Sequence, residues 1–217
     1  KKDHRFGDIK MPYNSVVSMP LKNKNDVIGV INVFGKSIDL GENDFELLSI
    51  ISDQTAMAIV NANQFEKVRI SSITDKLTGL YNRRYFMDVL RDEIERSQRA
   101  KEAVSLILFD VDYFKYYNDK NGHLMGDSLL KKLGEILMKS VRSIDTIGRY
   151  GGEEFIIVLP MTKAADAYEV SERIRASIEE HQFEKEEDQP NGNITASIGM
   201  VTCMNGCLNE LEMIKEA

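Results

Sequence analysis

Two apolar runs constrain this chain more than anything else in it. The run "VSLILF" at residues 104–109 and the run "FIIVL" at residues 155–159 are short and uninterrupted by charge, and each reads as a buried strand. Each also meets acids at one end. Asp110 and Asp112 follow the first run, and Glu153 and Glu154 border the second. Residues two apart in a strand point the same way, so Asp110 and Asp112 leave the first run together.

The second run is entered through "RYGGEEF" (149–155), which sets two flexible glycines against two carboxylates. A plain turn needs one glycine, and adjacent like charges repel. With the two strands side by side, Glu153 and Asp110 approach one point, and one of them is pushed toward protonation unless a cation lies between them. Hard Mg2+ takes one or two carboxylates plus phosphate oxygens and resolves that conflict. Gly151 and Gly152, without side chains, allow backbone to approach a polyphosphate. A charged turn in water is the plainer reading of "GGEE" alone, and it weakens once Asp110 and the segment after it are counted.

That segment is "KYYNDKNGHLMGDSLL" (115–130). Lys115 is a point charge suited to phosphate. Asn118 and Asp127 are residue types that read a guanine edge, an amide pairing with O6 or N3 and a carboxylate accepting from N1–H and N2–H2. His123 is either a sugar or phosphate contact or a structural loop residue.

The rest of the chain falls into place around these strands. Alternating runs at 15–21 and 27–34 flank the polar "KNKND" and predict a hairpin. Asn43 or Asp44 is the expected N-cap of a helix over 45–70. Leu48, Ile51, Thr55, Ala58, Ala62 and Phe65 recur along it at the spacing of a short coiled-coil seam, or of a helix packed on its own hairpin. A junction at 71–84 precedes helix 83–101, strand 104–109, helix 118–141, strands 146–150 and 155–159, helix 164–181 and strand 194–202. This order predicts an α/β (α+β) sandwich with helices on one face of a mostly antiparallel sheet. Residues 184–192 read as a solvated loop.

Composition excludes some classes of function. A formal net charge of −7 over 217 residues argues against a nucleic-acid surface. No apolar run reaches the length of a membrane span, and residues 1–10 do not read as a signal peptide. Cys203 and Cys207, spaced C-x3-C with no second pair, are expected as free thiols in a reducing cytoplasmic compartment.

Five motifs, "DKLTGLYNRR", "FDVDYFKYYND", "NGHLMGDSLL", "RYGGEEF" and "ITASIGM", occur in order between Asp75 and Thr202. Together they resemble the GGDEF domain of bacterial diguanylate cyclases. Residues 1–70, with "VIGVINVF" and the helix after it, resemble the C-terminal half of a GAF sensor domain. The resemblance implies a GAF part at 1–43, a signalling coiled-coil helix at 44–72 and a nucleotidyl cyclase-like GGDEF domain at 73–217. That domain is expected to be shortened before its final helix and its basic phosphate-binding segment.

The family joins two GTP molecules into cyclic di-GMP and releases pyrophosphate twice. By the resemblance, Asp110, Glu153 and the Val111 carbonyl hold Mg2+ or Mn2+, and Glu154 is a further ligand. Glu153 is also the base for the ribose 3′-hydroxyl, though the division of roles between the two glutamates stays open. Asn118, His123 and Asp127 contact guanosine, and Lys115 contacts the triphosphate. "RSID" places Arg142 and Asp145 in the family's RxxD product-inhibition site, with Arg173 as its second arginine. One domain holds one GTP, so the reaction implies a homodimer, for which the helix is a stalk. A catalytically silent module that senses GTP or cyclic di-GMP is the alternative.

Overall fold

The computed structural model describes residues 15–36, 40–204 and 209–217. The chain divides into two units, Lys1–Arg69 and Ile70–Ala217.

In the first unit, β1 (Ser15–Asn23) and β2 (Asp26–Gly35) pair antiparallel, with an irregularity between Leu21 and Lys22. The long helix α1 (Glu42–Ile73) follows, and its last residues from Ile70 belong to the second unit. Its start differs from the sequence expectation. The Gly41 carbonyl accepts from the N–H groups of Asp44 and Phe45, and the Asp44 carboxylate accepts from the Gly41 N–H at 3.0 Å. Gly41 is therefore the capping position, and Asp44 closes the cap from inside the first turn.

Ser52 and Ala56, four residues apart, form the buried face of α1, and the Ser52 hydroxyl donates to the Pro20 carbonyl at 2.7 Å. The stripe foreseen as a seam is a different face. Leu48 and Thr55 are half-buried, and Ile51, Ala58, Ala62 and Phe65 are exposed.

The second unit is built on a five-stranded sheet. Its strands are β3 (Tyr81–Asn82), β4 (Val104–Val111), β5 (Thr146–Arg149), β6 (Glu154–Pro160) and β7 (Ala196–Cys203), in the spatial order β3-β5-β6-β4-β7. Three pairings are antiparallel. The short β3, inside what the sequence presents as a junction, pairs parallel to β5.

Helices cover both faces rather than one. Ile107, Phe109, Phe155 and Ile157 face a core with α4 (His123–Ser140) and α5 (Ala164–Glu179). Leu106, Ile156 and Val158 face Phe86, Leu90 and Ile94 of α2 (Arg83–Ala100) and Met213 of α6 (Glu210–Glu216). Burial on both faces is why β4 and β6 read as continuous apolar runs instead of alternating ones.

The single helix expected over 118–141 is two. α3 (Phe114–Asn121) ends at Gly122, whose φ of +86° lies in the region that favours glycine, and α4 begins at once. The stretch 184–192 is also more than a solvated loop. The Tyr117 hydroxyl donates to the Glu184 carbonyl, Lys120 pairs with Asp188 at 2.9 Å, and Gln189 is buried. Cys203 is disulfide-bonded rather than a free thiol, and its partner lies outside the described residues.

Candidate active site

The register of the sheet brings the acids together. Asp110, near the end of the interior strand β4, lies opposite Glu154 of β6 on one side and Ser197 of β7 on the other. Directly opposed residues in antiparallel strands project to the same face, so Glu154, Asp110 and Ser197 form one row across three strands. Glu153 sits in the turn just before β6.

The Asp110 carboxyl is pushed above its ordinary range, first by burial and then by the charges of Glu153, Glu154 and Asp112. Repulsion among these carboxylates is of the kind a hard divalent cation would relieve. Among the described residues no three His, Cys, Asp or Glu side chains close into a cage. A cavity of about 280 Å3 lined by Asp110, Glu154, Ser197 and Gly199 opens beside the row.

The glycines of the turn serve a purpose the sequence did not reveal. Neither has the positive φ found at Gly79, Gly122 and Gly192. At Gly151 a Cβ would lie 2.2 Å from the Glu154 carboxylate, so this glycine makes room for an acid of the site. Gly152 is open, and its carbonyl accepts two bonds from the Arg149 guanidinium, at 3.1 and 2.7 Å. Arg149 also pairs with Asp75 at 3.1 Å, and Asp75 accepts from the N–H and hydroxyl of Thr78.

A second group of expected residues meets where α3 and α4 join. A Cβ at Gly126 would lie 1.9 Å from Asn118 Oδ1 and 3.1 Å from the Phe114 ring. Asn118 thus rests on Gly126, next to Asp127. Its Oδ1 is buried without a hydrogen-bond partner, a costly state that a donor from a bound base would relieve. Lys115 and His123 are exposed in the first turns of α3 and α4. Among the described residues neither is bonded to the acids.

The RxxD residues form a separate cluster in the α4–β5 connection. Asp145, with a side chain 1% exposed, accepts from the Arg142 N–H at 2.8 Å and from its guanidinium at 2.7–3.2 Å. The same guanidinium donates to the Thr162 hydroxyl at 2.7 Å. Arg173 donates twice to the Ser140 carbonyl, two residues before Arg142. Sequence reasoning assigned no role to Asp75, Arg149, Thr162, Thr195 or Ser197. Asp75, Arg149, Thr195 and Ser197 stand inside the family motifs, and the available signal was their position there.

Comparison with known proteins bears on the family and the fold. The family "Diguanylate cyclase, GGDEF domain" matches residues 72–217, and the GAF domain family matches residues 2–59. The response regulator PleD of Caulobacter vibrioides is 35% identical over 173 residues, 80% of this chain and 38% of PleD. Diguanylate cyclase A of Treponema denticola is 36% identical over 187 residues, 84% of this chain and 49% of its own length. The chain therefore spans about half or less of the length of these curated relatives.

Among solved structures, the coiled coil and GGDEF domain of DgcB from Caulobacter crescentus in complex with c-di-GMP superposes with a TM-score of 0.69. It is 26% identical, covering 78% of this chain and 88% of that one. Diguanylate cyclase SiaD of Pseudomonas aeruginosa, solved with its activator SiaC, gives 0.62 at 34% identity, covering 80% and 65%. With motifs, sheet register and relatives in agreement, this chain belongs to the GGDEF-domain family of diguanylate cyclases.

Proposed function

We propose that the chain carries the catalytic domain of an Mg2+- or Mn2+-dependent diguanylate cyclase that condenses two GTP into cyclic di-GMP. The observation that carries this reading is Asp110 paired opposite Glu154 across β4 and β6, with the charges of Glu153 and Glu154 both raising the Asp110 carboxyl. Asp110, the Val111 carbonyl, Glu153 and Glu154 would hold the metal. Bound there, it withdraws charge from the triphosphate and makes the 3′-hydroxyl easier to deprotonate.

Asn118 and Asp127 orient the guanine, with His123 at the sugar and Lys115 along the phosphates. Glu153 takes the 3′-hydroxyl proton of one GTP as that oxygen attacks the α-phosphorus of the other, and the bond to pyrophosphate breaks. A second such step closes the ring. One domain holds one substrate, so two chains face each other as a homodimer, and the GAF part with α1 sets their approach. GTP places the reaction in the cytoplasm. Cyclic di-GMP binds Arg142, Asp145 and Arg173 as an inhibitor; the DgcB relative was solved with this dinucleotide.

The test is incubation of the full-length protein with GTP and Mg2+, following pyrophosphate and dinucleotide. Glu153→Gln is expected to abolish both while leaving the fold intact. Nucleotide binding without pyrophosphate release in the parent would favour the silent sensor module instead.

A further inference from the structure

Asp110 lies in β4 and Asp112 just past its end, yet their surroundings differ completely. Asp110 is crowded by other acids. Asp112 has both carboxylate oxygens taken: Thr195 Oγ1 donates to Oδ2 and Ser197 Oγ donates to Oδ1, each at 2.6 Å. Its own N–H donates to the Thr195 carbonyl at 2.9 Å. A carboxylate only accepts, so both hydroxyls are committed as donors and the plane of the carboxylate is set.

The place where this happens matters. Val111–Ala196 is the last ladder pair of β4 and β7. Two residues later Tyr113, not a glycine, takes a left-handed φ of 56° before α3 begins. Such a residue persists only where its surroundings over-determine it. The bonds of Asp112 pin the chain to β7 just before that turn.

We propose that Asp112, clamped by Thr195 and Ser197, is a positioning residue of the metal site. It does not ligate the metal; it holds the end of β4 so that the Asp110 carboxylate and the Val111 carbonyl keep one spacing. This rests on the reading of Asp110 and Val111 as metal ligands. Outer partners that orient ligands commonly matter about ten- to a hundredfold for metal affinity or activity. The clamp acts through shape, so hydroxyls and not the charge of Asp112 are what the site requires.

The experiment measures Mn2+ binding by electron paramagnetic resonance in the presence of a non-hydrolysable GTP analogue, alongside kcat and KM for GTP. The variants are Thr195→Val with Ser197→Ala, the hydroxyl-preserving swap Thr195→Ser with Ser197→Thr, Asp112→Asn and Asp110→Asn. Thermal unfolding confirms that each is folded. The hydroxyl-free double variant is expected to weaken Mn2+ binding about tenfold and to lower kcat more than it raises KM. The swap should recover most of both. Asp112→Asn, which can still accept from one hydroxyl and donate to the other, should lose less than the hydroxyl-free variant.

Parent-like Mn2+ binding in the hydroxyl-free variant, with loss in Asp112→Asn, would make Asp112 a ligand or a charge and overturn the proposal. Unchanged binding in Asp110→Asn would remove the metal-site reading itself, and the clamp's role with it. Loss in Asp110→Asn with no effect at Thr195 and Ser197 would overturn the clamp alone.

Discussion

Arg149 and Asp75 are paired at 3.1 Å across 74 residues of sequence, and the same guanidinium grips the Gly152 carbonyl. The pair ties the segment after α1 to the turn that carries Glu153. Partial burial raises the Asp75 carboxyl, but the bonds from Thr78 and Arg149 outweigh it and hold its pKa below the ordinary range. With the folded pKa depressed, this stabilisation is whole above the unfolded value of about 3.9 and is lost as pH falls through the folded one. Asp75→Asn should therefore flatten the acid limb of stability, read by urea unfolding at stepped pH. It should also lower turnover and lower the melting temperature near neutrality, where the stabilisation from the ionised carboxylate is fully present.

Asp110 carries the opposite sign. Its carboxyl is raised by burial and then by Glu153, Glu154 and Asp112, so the ionised acid works against the metal-free fold. That penalty is present above the folded pKa and fades as pH drops through it. Asp110→Asn is expected to raise the metal-free melting temperature at pH 7 while abolishing cyclisation. A lower melting temperature would contradict the repulsion.

Gly126→Ala places a methyl 1.9 Å from Asn118 Oδ1. Helical propensity gains up to about 1 kcal/mol from this change, so stability should move little. The asparagine must leave its position, and KM for GTP should rise about tenfold, the loss of roughly one oriented hydrogen bond. Unchanged KM would remove Asn118 from the guanine contact.

Arg142→Ala should relieve product inhibition while leaving synthesis in place. It strips the nearly buried Asp145 carboxylate of its guanidinium, at a stability cost of about 1–3 kcal/mol. Thr162→Val, which removes the hydroxyl contact of Arg142, should weaken inhibition less. Inhibition curves for cyclic di-GMP that coincide for Arg142→Ala and the parent would end the regulatory assignment.

The strands at 104–109 and 155–159, the acids at their ends and the order of helices were open to reading because periodicity and turn chemistry are local properties. The five ordered motifs likewise carried the resemblance to the family. Local signals do not report what lies across space. That Glu154 faces Asp110 follows from the β4–β6 register. Asp112 is claimed by hydroxyls 83 and 85 residues away, and Arg149 by a carboxylate 74 residues away. Glu154 folds back over Gly151, where a Cβ would lie 2.2 Å from its carboxylate. The sequence reads as one helix through 118–141, and only backbone geometry at Gly122 decided that one helix ends there and another starts. Chemistry along a strand is written in its own residues, whereas the division of labour between two identical acids depends on which neighbours the sheet sets beside each.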